Sequence, residues 1–208
     1  MAGSPVRTIT AIGAAACWGV FALAWVAGAL YNVSRGRRRR ARAGRGPARF
    51  VGVVIVLSAV VLVVIAVVPA SAWDALTTHA AWVAGLGLAV LVCSTAFALW
   101  ARVALGTMWS LSPAVKDGHE LRTEGPYGIT RHPIYTALLG MLLGTVLVAG
   151  LGRSILILPV GIVLLELKLR AEEELMVARF PEEYLRYRQR VPQLVPGLRP
   201  RGERPGAC

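Results

Sequence analysis

The chain has 208 residues, 56% of them hydrophobic, with a mean hydropathy of +0.60, a formal net charge of +12 and three cysteines. A soluble domain of this length does not need so much apolar surface, and the apolar residues fall in blocks rather than at amphipathic spacing, which excludes an ordinary water-soluble fold. The positive charge lies between the apolar blocks, where membrane topology explains it and nucleic-acid binding is not needed. Cys17 and Cys93 sit inside apolar runs and Cys208 is the last residue, a scattered set that describes neither a disulfide framework nor a metal site.

Thr8 to Leu30 runs without a charge. A helix of that length rises roughly 34 Å, enough to cross the hydrocarbon core. Only Arg7 precedes it and the heavy charge follows, so it reads as a retained helix with its N-terminus outside rather than a cleaved leader. Arg35, Arg37, Arg38, Arg39, Arg40, Arg42, Arg45 and Arg49 then crowd one loop, which the positive-inside rule puts on the cytoplasmic side. Phe50 to Val68 is a second span, Pro69 to Thr78 an outer loop, and Ala80 to Ala101 a third span whose Gly85 and Gly87 suit close helix packing. Arg102 to Pro133 returns to the inside, punctuated by Pro113, Gly118 and Gly125-Pro126. Ile134 to Leu151 is a fourth span, with Gly140 and Gly144 spaced for helix contact. Gly150 to Arg153 is a tight hairpin. Ser154 to Leu167 is a short fifth span that continues as one helix through Lys168 to Arg179, with Pro159 a candidate kink.

The fold class that results is an all-α integral membrane protein of about five transmembrane helices, N-terminus outside and C-terminus cytoplasmic. The inside segments then hold 21 of the Lys and Arg residues and the outside segments 2. Residues 1–101 form an anchor of three spans, 102–194 a region that carries the chemistry, and 195–208 a Pro-, Gly- and Arg-rich tail read as disordered. The expected location is the cytoplasmic (inner) membrane, multi-pass, among membrane lipids.

The chemistry concentrates in His119 to Tyr135. Because the fourth and fifth spans form a hairpin, His132 and Tyr135 at the start of one are predicted beside Lys168 to Glu173 at the end of the other. A charge at the end of an apolar run, as at Glu166, tends to face a cavity or a partner. The residues alone leave open whether this convergence binds a ligand or is structural pairing.

Gly125-Pro126-Tyr127, then Arg131-His132-Pro133-Ile134-Tyr135, then Glu172-Glu173 and the stretch Phe180 to Val191 together resemble the isoprenylcysteine carboxyl methyltransferase family. The resemblance covers about Leu105 to Pro196. It implies a membrane enzyme that uses S-adenosyl-L-methionine. The family's cofactor contacts carry over to His119, Glu120, Leu121, Arg122, Tyr127, His132, Pro133, Ile134, Tyr135 and Glu172. Where the family has an arginine proposed to orient the substrate carboxylate, this chain has Lys168, with Arg170 two residues on, which keeps charge but loses a bidentate fork. The implied acceptor is amphipathic or lipid-like, aligned by Lys168 or Arg170 if it is a carboxylate; Glu173 is the candidate base if it is an amine. A phospholipid N-methyltransferase, a membrane reductase of related architecture and a non-enzymatic scaffold are the rival readings.

Overall fold

The structure, a computed structural model, describes residues 5–34, 46–106 and 121–197. The described chain is helical: α1 (Pro5–Ser34), α2 (Gly46–Val67), α3 (Ala70–Leu76), α4 (Ala81–Leu105), α5 (Pro126–Ile129), α6 (Pro133–Val148), α7 (Ile157–Arg179) and α8 (Pro181–Arg190), with a 3-10 helix over Gly152–Leu156 before α7. The Arg-rich loop up to Arg45, residues His119 and Glu120, and the tail from residue 198 lie outside the described residues.

Among the described residues, two helices, α1 and α4, are long and apolar enough to cross a membrane by themselves; α2 and α3 make a third span if the bent pair is counted as one. Ile9, Ile12 and Leu23 on α1, and Trp82 and Val103 on α4, are each more than 60% exposed. Such a surface is stable against hydrocarbon and not against water. The protein is an integral, multi-pass membrane protein. α3 replaces the expected outer loop over Pro69 to Thr78: the chain turns by 100° at the break before it, with Pro69 capping the new helix. A proline has no N–H to continue α2 and fits the start of another helix.

α4 and α6 form the most extensive helix pair, and small residues are the reason. A side-chain carbon on Gly144 would lie 2.7 Å from the Gly87 carbonyl oxygen and 2.8 Å from Leu91, so the two backbones touch. Gly85, one of the glycines expected at a helix contact, faces open space instead. α1 joins the pair through Trp18, whose Nε1–H donates to Thr145 Oγ1 at 3.0 Å, an interhelical bond in an apolar setting.

α6 is an apolar helix of 16 residues, about 24 Å by rise and short of a full crossing. The hairpin after it is as expected. Gly150, Leu151 and Gly152 take φ of 82°, 63° and 57° in succession, and Thr78 N–H donates to the Gly150 carbonyl at 2.9 Å. α7 then runs unbroken from apolar to charged sequence. Pro159 is its third residue, where no intrahelical bond is lost, so it starts the helix rather than kinking it.

Candidate active site

The site forms where α6 begins and α7 ends. The approach to α6 is extended: Thr130 has φ −141° and ψ 151°, and His132, held out of the helical region by the following proline, caps the helix at φ −125° and ψ 64°. Pro133 is its first residue and is fully buried. This turn presents Arg131, His132 and, one helical step later, Tyr135 toward α7. On α7, Leu169 is fully buried, and Glu173 lies four residues on along the same face.

Glu173 is the centre of the charge network. Its Oε1 is 3.0 Å from Arg131 Nη2 and 3.3 Å from His132 Nε2. The Arg131 side chain is 4% exposed and that of Glu173 12%, so the pair is shielded from water. Burial by itself pushes the Glu173 carboxyl up; the His132 hydrogen bond and the charges of Arg131, His132 and Arg188 outweigh it and hold it below its ordinary value. Glu172 is more open, at 26%, with its Oε2 3.9 Å from His132 Nδ1. Tyr135 donates its hydroxyl proton to Glu172 Oε1. Lys168 Nζ stands 5.9 Å over the Tyr135 ring.

A segment that sequence reasoning left without a role closes the site. After α8 the chain crosses the start of α6, where Arg131 N–H donates to the Pro192 carbonyl at 2.8 Å and His132 N–H to that of Gln193 at 3.2 Å. Thr136 Oγ1 donates to the Leu194 carbonyl at 2.7 Å. This strap satisfies backbone donors that precede the helix and have no intrahelical acceptor. α8 itself is anchored by Tyr184, Tyr187 and Val191, packed with Leu121, Met176, Val177 and Phe180. Tyr187 also donates to the Tyr127 carbonyl at 2.6 Å, and burial pushes its phenol up, so it stays protonated. Tyr127 is buried, and its phenol is likewise pushed up, by burial first and then by Tyr187 and Glu172.

The expected residues divide into three groups. His132, Pro133, Tyr135, Lys168, Glu172 and Glu173 come together around the start of α6. Tyr127 and Leu121 gather on Tyr187 of α8. Arg122 is exposed, and Arg170, 70% exposed, is 3.0 Å from Glu166 on the outer face of α7. Two participants were not singled out for the site. Arg131 stood in the sequence as a topology charge within a recognised motif, and only its burial reveals its role. Thr136 is one more polar residue in an apolar helix, and its partner is 58 residues away. A cleft of about 420 Å³ lies between α8 and the segment before α5, lined by Leu121, Thr123, Tyr187 and Val191 with Glu183, Arg186 and Arg190; His132, Tyr135, Lys168, Glu172 and Glu173 are not in its lining.

Taken together, the apolar helices and the charged cluster at the end of the α6–α7 hairpin define a multi-pass membrane protein with a polar site at the edge of its apolar region. Residues 86–178 match the isoprenylcysteine carboxyl methyltransferase (ICMT) family. That match covers a little under half of the chain. Among solved structures, it resembles the eukaryotic intramembrane Ras methyltransferase ICMT (isoprenylcysteine carboxyl methyltransferase), with a TM-score of 0.52 at 17% sequence identity over 75% of this chain. That likeness is one of fold, and the chain spans 55% of the length of the solved protein. No curated protein matches the sequence.

Proposed function

We propose that this protein is a membrane methyltransferase that uses S-adenosylmethionine to methylate the carboxylate of a prenylated or similarly lipid-like acceptor. The observation that carries the reading is the meeting of His132 and Tyr135 with Lys168, Glu172 and Glu173 inside the region that matches the ICMT family. The residues fit the cofactor. The Arg131 Nε–H is buried without an acceptor among the described residues, and Leu121 lines a cleft of about 420 Å³ against α8. Glu172, the more open carboxylate, suits the cofactor's ammonium or ribose hydroxyls. His132 and nearby backbone N–H groups suit its carboxylate, and Leu121, Tyr127 and Ile134 suit its adenine; Pro133 and Tyr135 are assigned to it by family likeness. His119, Glu120 and Arg122 are assigned to it by family likeness.

When bound, S-adenosylmethionine supplies a methyl group on a sulfonium, open to in-line attack by a carboxylate oxygen. The protein's task is to place and desolvate that carboxylate. Lys168 is the better placed cation for this, since Arg170 is taken up by Glu166. No proton has to leave a carboxylate nucleophile, so no base is required. An amine acceptor would need one, and Glu173, ion-paired with Arg131 and held below its ordinary value, is a weak base. That weighs for O-methylation over phospholipid N-methylation. In this reading five segments traverse or enter the inner membrane with the N-terminus outside, and the site faces the cytoplasm. Membrane lipids deliver the acceptor.

Calorimetric titration of the detergent-purified protein with S-adenosylhomocysteine tests the cofactor half. Saturable binding is expected, weakened by about 1–3 kcal/mol in His132→Ala and in Glu172→Ala as buried polar groups lose their partner. Binding of NADPH in its place would support the reductase reading. Unchanged affinity in both variants would support a scaffold.

A further inference from the structure

On a helix, Lys168 and Glu172 are four residues apart and are each other's natural ion-pair partners. They do not pair. No carboxylate lies within ion-pair distance of Lys168 among the described residues, and its Nζ stands 5.9 Å from the centroid of the Tyr135 ring. The acidic residue best placed to neutralise it, Glu172, is engaged elsewhere: it accepts the Tyr135 hydroxyl and faces His132.

We propose that the Tyr135 hydroxyl is a positioning group that sets acceptor specificity, drawing Glu172 away from Lys168 so that the Lys168 ammonium keeps its charge for an incoming carboxylate. The inference rests on the methyltransferase reading above. An aromatic face attracts an ammonium without neutralising it, so the ring holds Lys168 in place and leaves its full charge available. Lys168 also stands where α7 passes from apolar to charged sequence. An acceptor with its tail in lipid brings its polar head to that level, and a compact cation there selects an anionic head over a neutral one. Without the hydroxyl, Glu172 is free to turn back along its own helix and cancel Lys168. The acceptor carboxylate would then meet a neutral pair.

Tyr135→Phe removes the hydroxyl and keeps the ring. The test uses S-farnesyl-N-acetylcysteine as acceptor and its neutral carboxamide as competitor. Tyr135→Phe should raise KM for the acid by about tenfold with a far smaller change in kcat, the mark of lost binding that is common to ground and transition states. Inhibition by the neutral carboxamide should stay within about twofold, since it does not depend on the Lys168 charge. Lys168→Met should raise the acid KM similarly, and adding Tyr135→Phe to it should have no further effect, because residues acting through one interaction are not additive. Additive effects, or equal losses for acid and carboxamide, overturn the inference. So does an unchanged acid KM in Lys168→Met, a result that stands whether or not Tyr135→Phe folds. Wild-type protein that does not bind S-adenosylhomocysteine overturns the methyltransferase reading and this inference with it. Binding with any of the preceding failures overturns the inference alone.

Discussion

Glu173 holds two positively disposed groups at once, Arg131 at 3.0 Å and His132 at 3.3 Å, in a site where all three side chains are at most 12% exposed. Removing one partner from such an arrangement leaves an unpaired buried charge, on the order of 3–5 kcal/mol. The pH dependence has a definite sign. The folded carboxyl titrates below its ordinary value of 4.5, so its contribution is fully present above that pH and fades as pH falls toward the depressed value. Glu173→Gln keeps the shape and removes the charge. The thermal stability difference between wild type and Glu173→Gln should be largest above pH 4.5 and shrink below it, other titrations cancelling in the comparison. A difference that does not change with pH would mean that the ion pair is not what holds this corner together. The sequence made His132, Tyr135 and Glu172 visible because they stand in motifs that resemble those of a known family. It could not show which carboxylate Arg131 takes, since Glu172 and Glu173 are adjacent and only the orientation of α7 chooses between them.

At the scale of elements, the site depends on how closely α6 is held. Gly144 allows its contact with α4, where an added carbon would meet the Gly87 carbonyl and the Leu91 backbone nitrogen at 2.7 and 2.9 Å. Backbone atoms cannot step aside as a flexible side chain can. Gly144→Val is expected to destabilise by about 1–3 kcal/mol through overpacking, whereas Gly85→Ala, with open space around it, should be neutral or mildly stabilising through helix propensity. Thermal unfolding in detergent compares them; equal losses would mean that the α4–α6 contact is not formed as described. Glycine spacing located this contact in the sequence but could not tell Gly85 from Gly87, because both lie in the same apolar run and differ only in the face they present. α3 and the strap were illegible for other reasons. Seven residues after a proline carry too little periodicity to distinguish a helix from a loop. The strap's bonds at Pro192 to Leu194 come from carbonyls, which have no sequence signature at all.

At the scale of the molecule, the hairpin of α6 and α7 turns two separate sequence motifs into one site. The turn at Gly150 to Gly152 returns the chain so that the charged end of α7 lies against the polar start of α6. The all-helical membrane fold was legible because long charge-free runs have few other solutions. The count of full spans was less so, since α6 is shorter than a crossing and α7 changes character midway. The site's position at that change of character is the physical reason for proposing an acceptor that is half lipid and half polar. The most direct test is transfer of labelled methyl from S-adenosylmethionine to S-farnesyl-N-acetylcysteine by the purified protein, followed by mild alkali. The account predicts label in the acceptor that alkali releases as methanol, the behaviour of a methyl ester. Alkali-stable label, found in phospholipid amines and not in the prenylated acid, would contradict it.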